Sequence, residues 1–461
     1  MFLKKGVNRQ TKCILLALAV GLCSWGSYAP PVLASAVMES QQRCLNVTSV
    51  TVEGNQKMSE AQILRLLPVL REKTVNVDKL SSQIQLANDT QAVSLKADFK
   101  PNKSGSFDVV IKVAELKENY NIVAVNNTGN DYSGDWRLNY TYVDTNLTKQ
   151  ADTLGIATVT SPGNWDQVKQ AAVVYRQILP KSGDSFYFSY SYSDVDLGQI
   201  ANFGTLSMNA TGKGQAYGLH YQKNITYMAD KKEFVDFGFD YKKYQDAQDY
   251  TLSGASILTA GTDFNVKTFG VNYVNSKRGA RQSGAYNIGY ITNMNGNQAE
   301  YNAYRYGSDT HFNIFKAGVN QQYKFKSDWI ASLRVNAQYT KNNLLSTEQL
   351  GAGGTDTVRG FDEREISADN GYITNVEFYT PEIAKGQRFV LFTDMAHLFN
   401  NRTNVGELKN DTIASVGIGY RYSNPKSGWS AALDYGHIID DIENKADQGS
   451  GKLHLAVTKI F

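Results

Sequence analysis

Cysteine, proline and long apolar runs are scarce in this chain, and each scarcity excludes a class of protein. The 461 residues include only 3 cysteines and 8 prolines, whereas tyrosine and glycine number 28 and 38. No run of about 18 apolar residues follows the N-terminal region, and the mean hydropathy is -0.39, which excludes a helical membrane protein. A membrane β-barrel remains open, because its strands place half of their residues in a polar lumen.

The first 36 residues are typical of an export signal. Basic residues precede an apolar run from Ile14 to Leu22, and Ala34-Ser35-Ala36 supplies the small residues that a signal peptidase recognises. We expect cleavage after Ala36, followed by a short tail over residues 37–44. A lipoprotein signal at Cys23 is an alternative that the bulky Leu22 disfavours. A transmembrane anchor is disfavoured because the apolar core is too short.

Removal of this segment changes both the charge and the cysteine count. The chain has 47 basic and 44 acidic residues, and four of the basic residues and none of the acidic ones lie before residue 37, leaving 43 basic against 44 acidic residues. No basic stripe of the kind that binds nucleic acid remains. Only Cys44 would survive cleavage, so we expect neither an intrachain disulfide nor a cysteine metal cluster.

Residues 45–117 predict a small α+β domain. After a first strand, Ser59 and Gln62 have the spacing of a capping box at the start of a helix. A second helix carries its apolar residues on one face, and two alternating strands follow, from Val93 to Phe99 and from Phe107 to Val113. We therefore expect a three-stranded sheet covered by two helices.

From residue 118 to residue 461 the apolar residues repeat with a period of two. Apolar and polar residues alternate through segments such as Phe186–Ser193, Ala331–Tyr339 and Ala414–Arg421. Such strands approach the ~9 to 11 residues that cross a bilayer with tilt, and they exceed the ~5 to 6 typical of a soluble sandwich. We predict an all-β transmembrane barrel of about 16 antiparallel strands, since bacterial single-chain barrels prefer even numbers.

One segment of the barrel region is ambiguous. The pattern over residues 201–225 is compatible with one strand or with two. The preference for an even number of strands favours a loop over most of Ala201–Ala210. The strand count over residues 201–225 stays open at this point.

The chain ends in an alternating strand, Leu453–Phe461, with an aromatic residue at its carboxyl terminus. This ending resembles the terminal strand by which outer-membrane barrels are recognised for insertion. Phe461 is accordingly the predicted insertion signal. A chance aromatic end on a soluble strand is the alternative.

A glycine-rich string, GGxxxVRGF at residues 353–361, lies in a long connection at about residues 343–370. Connections longer than ~12 to 15 residues without structure of their own are usually functional or disordered. With an α+β domain before it, five strands after it and a terminal Phe, the string resembles the POTRA-plus-barrel superfamily of outer-membrane proteins. The chain is most similar there to the two-partner secretion transporters, the haemolysin secretion/activation proteins. Asp131–Gly134 and Asn370-Gly371-Tyr372 are weaker supporting matches.

The resemblance implies that the tip of this connection folds back into the barrel lumen. The lumen motif would consist of Val358, Arg359, Gly360 and Phe361. Arg359 would contact a carboxylate in an F-x-D strand, which here offers Phe392 and Asp394. Alternation then places Leu391 and Met395 towards lipid. The family often has glycine after this aspartate, and here Met395 follows instead.

The resemblance also implies an outer-membrane transporter with its POTRA domain in the periplasm and a secreted exoprotein as client. An exposed sheet edge binds an extended peptide through main-chain hydrogen bonds. The candidate client-binding residues on that edge are Val93, Leu95, Ala97 and Phe99, and packing in the domain core is an equally strong interpretation of each. We expect a monomer that contacts lipid and, during insertion, the barrel-assembly machinery, without cofactor, metal or nucleic acid. Family members usually have a plug helix and two POTRA domains, whereas this sequence predicts one POTRA domain and no plug helix.

Three other functions compete with secretion. An enzyme is disfavoured because no G-x-S-x-G motif is present and the histidines are scattered over predicted strands, at His220, His311, His397, His437 and His454. A passive porin would need neither the periplasmic domain nor the VRGF string. A barrel-assembly factor of the same superfamily would usually carry several POTRA domains, so a single one favours secretion.

Overall fold

The fold is that of a computed structural model, which describes residues 44–130, 133–150, 152–203, 206–252, 255–404, 407, 409–441 and 450–461. The predicted export signal and the tail before Cys44 lie outside the described residues, as do Asp131 and Tyr132 of the first hairpin. Cys44 is exposed and unpaired. No helix in the described ranges has the length and apolar character needed to cross a membrane.

An N-terminal α+β region, residues 44–115, forms a mixed four-stranded sheet with helices packed on it. The elements are β1 Cys44–Glu53, α1 Glu60–Leu66, a 3-10 turn Pro68–Arg71, β2 Thr74–Asn76, α2 Val77–Asp89, β3 Val93–Pro101 and β4 Phe107–Glu115. The strand order is β2-β1-β4-β3, in which β1 and β4 are parallel and the other two pairs are antiparallel. The expected three-stranded sheet was wrong by one strand, because β2 has only three residues and is too short to show alternation.

Local sequence explains both helices of this region. The Ser59 hydroxyl accepts from the amide of Gln62 at 3.3 Å, and the amide of Ser59 donates to Gln62 Oε1 at 2.8 Å, which completes the capping box. The second helix begins after Asn76, whose side chain accepts from the amide of Lys79. The apolar faces of α1 and α2 pack on the sheet in one core, which includes the fully buried Ile63, Leu80, Leu95 and Ile111.

A closed antiparallel barrel of sixteen strands accounts for most of the described residues after Asn119, which confirms the predicted fold class and strand number. The first strand closes against the last through Ile122–Asn126 and Ala456–Ile460. The barrel strands are β5 Asn119–Asn126, β6 Arg137–Asp144, β7 Thr153–Thr160, β8 Val168–Ile178, β9 Ser185–Phe203, β10 Leu206–Tyr227, β11 Lys231–Leu252, β12 Ala255–Arg278, β13 Gln282–Asn293, β14 Asn313–Lys324, β15 Ile330–Tyr339, β18 Asn370–Tyr379, β19 Gln387–Phe399, β20 Asn410–Asn424, β21 Trp429–Asp440 and β22 Gly451–Ile460. Three short elements lie between them, α3 Gln298–Tyr304, β16 Leu350–Ala352 and β17 Ile366–Ala368.

The expected loop over Ala201–Ala210 was wrong. β9 continues to Phe203 and β10 starts at Leu206, and the two pair along this whole stretch. The four strands β9 to β12 have 19, 22, 22 and 24 residues, more than the ~9 to 11 that a bilayer requires. The pattern over this segment also fits two strands, and the even-number preference gave no valid reason to choose a loop. β9 and β10 lengthen a single hairpin and leave the strand number at sixteen.

Within the bilayer-length strands, exposure alternates as a lipid-facing wall requires. In β19 every second residue from Arg388 to Leu398 is buried, whereas Leu391 and Met395 are exposed on the outer face. Ile418 on β20 and Leu453 on β22 are exposed in the same way. An apolar outer face around a partly polar interior is the arrangement of an outer-membrane barrel.

The N-terminal α+β region lies at the barrel end where β5 begins, which we call the proximal end; the opposite end is the distal end. At the end of α2, Asp89 Oδ2 accepts from the Tyr227 hydroxyl at 2.8 Å and from Lys232 Nζ at 2.5 Å. Tyr227 ends β10 and Lys232 lies in β11, several strands away from the connection to β5. The region therefore contacts the barrel across part of its proximal opening.

Phe461 generates a prediction that separates assembly from stability. Its amide donates to the Asn121 carbonyl at 2.9 Å, but its side chain is 57% exposed and contributes little to packing. We expect Phe461→Ala to lower the yield of inserted barrel several-fold and to leave the melting temperature of the purified barrel unchanged. Phe461→Tyr, which keeps an aromatic ring, should restore the yield. Heat-modifiable migration of outer-membrane fractions measures the yield, and an unaltered yield in Phe461→Ala excludes the residue as an insertion signal.

Candidate functional site in the barrel lumen

The connection between β15 and β18, residues 340–369, folds back into the barrel, and we call it the lumen loop. β16 and β17 pair antiparallel near its base, with Leu350 opposite Ala368 and Ala352 opposite Ile366. Beyond this short hairpin, Val358, Arg359 and Phe361 are all buried, Phe361 with 4% of its surface exposed. The tip of the lumen loop therefore lies inside the barrel.

Arg359 at this tip forms a two-pronged ion pair with Asp394 of β19. Nε lies 2.6 Å from Asp394 Oδ2, and Nη2 lies 2.9 Å from Oδ1. The amide of Arg359 donates to the same carboxylate at 3.2 Å. The guanidinium also lies over the ring of Phe392, 3.5 Å from its centroid. The structure thus brings together the arginine and both F-x-D residues that the sequence singles out, and all three are buried.

Sequence reasoning missed the other charges around Arg359. Its Nη1 lies 2.9 Å from Glu377 Oε1 and 3.5 Å from Asp434 Oδ2. Arg421 in turn binds Asp434 through two contacts, of 2.6 and 2.8 Å. With Arg334, whose charge also acts on Glu377, three arginines face three carboxylates. We call these six residues the lumen charge network: Arg334, Arg359, Glu377, Asp394, Arg421 and Asp434.

A neutral side chain joins this network to the loop backbone. Asn375 Nδ2 donates to Asp394 Oδ1 at 2.7 Å and to the carbonyl of Thr357, while its Oδ1 accepts from Arg334 Nε at 2.9 Å. Arg334 Nη2 donates to the carbonyl of Asp356 at 2.8 Å. Wall side chains therefore hold the backbone on the N-terminal side of Arg359 as well as its guanidinium.

Glycines on both sides of the contact permit the loop to approach the wall closely. Gly360 has φ +102°, a conformation that side chains other than glycine rarely adopt. Across from it, a Cβ added to Gly436 of β21 would lie 2.6 Å from both the Arg359 carbonyl carbon and the Gly360 nitrogen. The amide of Gly360 donates instead to His454 Nε2 on β22, at 3.0 Å. Substitution at either glycine would displace the tip from the wall.

Apolar packing adds to the attachment of the tip. Val358, Phe361 and Ile366 form one buried cluster with residues of the wall, namely Ile373, Ala396, Leu398, Ile413 and Ile438. Full burial of side chains of this size contributes about 1.5–3 kcal/mol each. The ion pair therefore orients the tip of the lumen loop. The apolar cluster stabilises the position of the tip by a free energy comparable to that of the ion pair.

The base of the lumen loop is held at the distal end by a separate group of contacts. Arg305, which follows α3, lies 2.8 Å from Glu407 Oε1 and 3.3 Å from Asp369 Oδ1. Asp369 is fully buried and accepts from the amides of Leu344 and Asn401, both at 3.1 Å. The base would consequently stay attached if the Arg359 contacts at the tip were lost.

The candidate client-binding residues lie on β3, which pairs only with β4 among the described strands and so forms an edge of its sheet. Val93 and Leu95 are buried in the core of the N-terminal α+β region, and Ala97 and Phe99 are half-buried against the same core. All four side chains pack in or against the core of the region. The free edge of β3 consequently offers its main chain, and not these side chains, to a bound peptide.

The histidines do not form a reactive centre. His220 lies between Asp236, at 2.7 Å, and Asp240, at 3.4 Å, on the neighbouring strand, and His397 bonds to the Thr412 hydroxyl. Across the described part of the chain, no group of three or more potential ligand side chains could hold a metal ion. His220, His397, His437 and His454 lie on barrel strands, where His454 also contacts the lumen loop, and His311 lies in the connection between α3 and β14.

Known proteins and solved structures resemble the chain over nearly its whole length. The heme/hemopexin transporter protein HuxB of Haemophilus influenzae is 23% identical over 432 residues, which cover 90% of this chain and 74% of that protein. CdiB from Escherichia coli has a TM-score of 0.74 at 17% identity, covering 90% of this chain and 76% of CdiB. BamA from Haemophilus ducreyi lacking POTRA domains 1–3 has a TM-score of 0.56 at 15% identity, covering 90% and 85%. At such identities these two structures show a common fold.

The family identity comes from a sequence model that covers most of the barrel. The model of the haemolysin secretion/activation protein ShlB/FhaC/HecB matches residues 105–422, well over half of the chain, and includes the whole lumen loop. Members of this family are transporters and not enzymes, and they act with a secreted exoprotein. The chain thus belongs to the haemolysin secretion/activation protein family, the two-partner secretion transporters of the outer membrane.

Proposed function

We propose that the protein binds its unfolded partner exoprotein through the N-terminal α+β region and exports it through the barrel lumen. The observation that carries this proposal is the lumen loop, whose tip is held inside the barrel by the lumen charge network. A passive porin has no need of such a segment. Since the network is close to neutral, the loop can leave without exposing a large excess of one charge.

The proposed topology follows from the direction of the chain. We assign residues 1–36 to a cleaved signal peptide, residues 45–117 to a POTRA domain in the periplasm and residues 118–461 to the barrel. The proximal end then faces the periplasm and the distal end faces the outside. The transporter works as a monomer in this scheme, and folding of the client outside the cell gives the transport its direction.

Client recognition by strand addition is supported by the free edge of β3. Main-chain hydrogen bonds along an edge accept an extended peptide with little demand on its sequence. Because the inward side chains of β3 are buried in the core, recognition would depend on the backbone of its free edge. This mode suits an unfolded client that exposes many different segments in turn.

The lumen loop must shift before a polypeptide can pass. Removing one member of a buried ion pair typically costs about 3–5 kcal/mol, and less where water can enter. A client chain that replaces some of these contacts lowers this cost during transport. The distal contacts of Arg305 keep the base of the loop attached, so the tip can return after each transport event.

The first prediction of this proposal tests the role of the N-terminal α+β region. A variant lacking residues 45–116 should still insert and form a channel, because a closed barrel satisfies its own backbone hydrogen bonds. It should not secrete the exoprotein. Lys96→Ala combined with Lys100→Ala changes exposed side chains of β3 and leaves its backbone intact, so this variant should secrete normally. Normal secretion by the truncated protein would rule out edge binding.

The second prediction concerns the Arg359–Asp394 pair. Arg359→Ala removes the ion-pair partner of two lumen carboxylates, Glu377 and Asp394. Asp394→Ala leaves Arg359 paired with Glu377 at 2.9 Å. We expect both variants to insert but to secrete poorly, with the larger defect in Arg359→Ala. The double variant should be milder than the sum of the two, by a coupling of about 0.5–3 kcal/mol.

Channel recordings, secretion assays and thermal unfolding of the two single variants and the double variant measure this coupling. Arg364→Ala is the matched control, because Arg364 lies in the same loop but donates to the backbone carbonyls of Ser346 and Gln349. Its removal therefore takes no ion-pair partner from a carboxylate of the lumen charge network. Defects that simply add would show that Arg359 does not act through Asp394.

A further inference from the structure

A cavity lies at the proximal mouth of the lumen, between the N-terminal α+β region and the barrel wall. Gln91 and Thr90, in the turn from α2 to β3, line one side, and inward residues of the wall line the other, among them Val143, Val174 and Ile460. The cavity is small, with a volume of about 50 Å³. A chain that leaves the β3 edge for the lumen would pass this point.

One buried cation points into this cavity without an acidic partner. Arg176 of β8 lines the cavity and is 7% exposed. Its Nη2 donates to the Ser185 hydroxyl at 3.2 Å, and its guanidinium lies 5.3 Å from the ring centroid of Tyr187. Its Nε has no hydrogen-bond partner, and no carboxylate of the described residues lies within 4.0 Å of it. The protein thus leaves part of this guanidinium unsatisfied.

The contrast with other arginines shows that this arrangement is unusual here. Arg305, Arg359 and Arg388 are buried to a similar degree, and each is paired with at least one carboxylate. Arg137 is also buried without a carboxylate partner among the described residues, but its guanidinium donates to the carbonyls of Ser133, Gly134 and Trp136 and to two serine hydroxyls. Burial of an unpaired charge is costly, and buried polar groups in native proteins are almost always satisfied. Because no carboxylate of the described residues pairs with Arg176, an anion that enters the cavity from outside the chain would compensate its charge.

The geometry points to an acidic side chain of the client as that anion. We propose that Arg176 binds the carboxylate of a glutamate or aspartate in the extended partner chain as it enters the lumen. The guanidinium would bind the carboxylate, and the apolar wall at Val143, Val174 and Ile460 would accommodate the aliphatic stem. This inference rests on the proposed export function, since it takes a polypeptide in the lumen as the ligand.

The strand register supplies a way to block this site from within. Thr153 of β7 lies directly opposite Arg176 and also lines the cavity. An aspartate at position 153 would place a carboxylate beside the guanidinium and occupy the site. Thr153→Asn has nearly the same shape as Thr153→Asp and carries no charge, so it is the matched control for the backbone and the volume.

The test measures binding of fluorescein-labelled peptides to the purified full-length protein in detergent by fluorescence anisotropy. Two extended peptides that differ in one residue, glutamate in one and glutamine in the other, serve as probes. The wild-type protein should bind the glutamate peptide about ten-fold more tightly, a difference of ~1.4 kcal/mol. Arg176→Gln and Thr153→Asp should abolish this preference, whereas Thr153→Asn should retain it. Lys223→Gln, which removes an exposed cation at the same barrel end, should also retain it.

Equal binding of the two peptides by the wild-type protein would overturn the inference, as would a glutamate preference that persists in both Arg176→Gln and Thr153→Asp. If Arg176→Gln fails to insert, Thr153→Asp still decides the matter, because it leaves Arg176 in place. The outcome is separate from that of the proposed function. A protein that secretes its exoprotein but shows no glutamate preference refutes the Arg176 site alone, whereas failure of secretion by the wild-type protein refutes the export function.

Discussion

The two-pronged contact between Arg359 and Asp394 determines how the interior of this barrel is organised. A guanidinium enclosed by a barrel wall keeps its charge, and it is stable there only where carboxylates receive its donors. Asp394 supplies both oxygens, Glu377 receives the remaining nitrogen, and Arg421 compensates the charge of Asp434. These requirements fix the inward positions of β18, β19, β20 and β21, and they place the glycine of the loop against a glycine of the wall. The lumen loop and the wall are therefore complementary in charge and in shape.

The lumen loop is attached to the barrel at two places, its tip and its base. The tip depends on the lumen charge network and on an apolar cluster, whereas the base depends on Arg305, Asp369 and Glu407 at the distal end. At the proximal end, Asp89 joins the N-terminal α+β region to β10 and β11. A path through the protein would thus begin at a sheet edge, pass the cavity at Arg176 and meet the tip of the loop. Each stage has its own contacts, so each can be altered separately.

Alternation predicted the barrel, because it is a local property of each strand, and the length of the region with the even-number preference predicted the strand number. The inward direction of Asp394 was implied by the family resemblance and agreed with the alternation. The sequence did not predict β2, which is too short to alternate, or the pairing of β9 with β10 through Phe203 and Leu206, because a longer hairpin leaves the even strand number unchanged. The resemblance singled out Arg359 but not Glu377, Arg421 or Asp434. These residues are adjacent only once the register of four strands is known. Arg176 was missed because its distinguishing feature, the lack of an acidic partner, depends on every surrounding side chain.

The most direct test of the account is the accessibility of the loop tip during transport. In a background with Cys13, Cys23 and Cys44 each replaced by Ser, Phe361→Cys places a single reactive thiol at a buried position of the tip, and Tyr306→Cys places one at an exposed distal position as a control. Cells are treated with a membrane-impermeant maleimide, with and without synthesis of the partner exoprotein. The account predicts that the thiol at position 361 is protected at rest and labelled during secretion, while the control thiol is labelled in both states. Continued protection of the tip thiol during active secretion would show that the tip of the lumen loop keeps its contacts with the wall while the client passes, contrary to the proposed displacement.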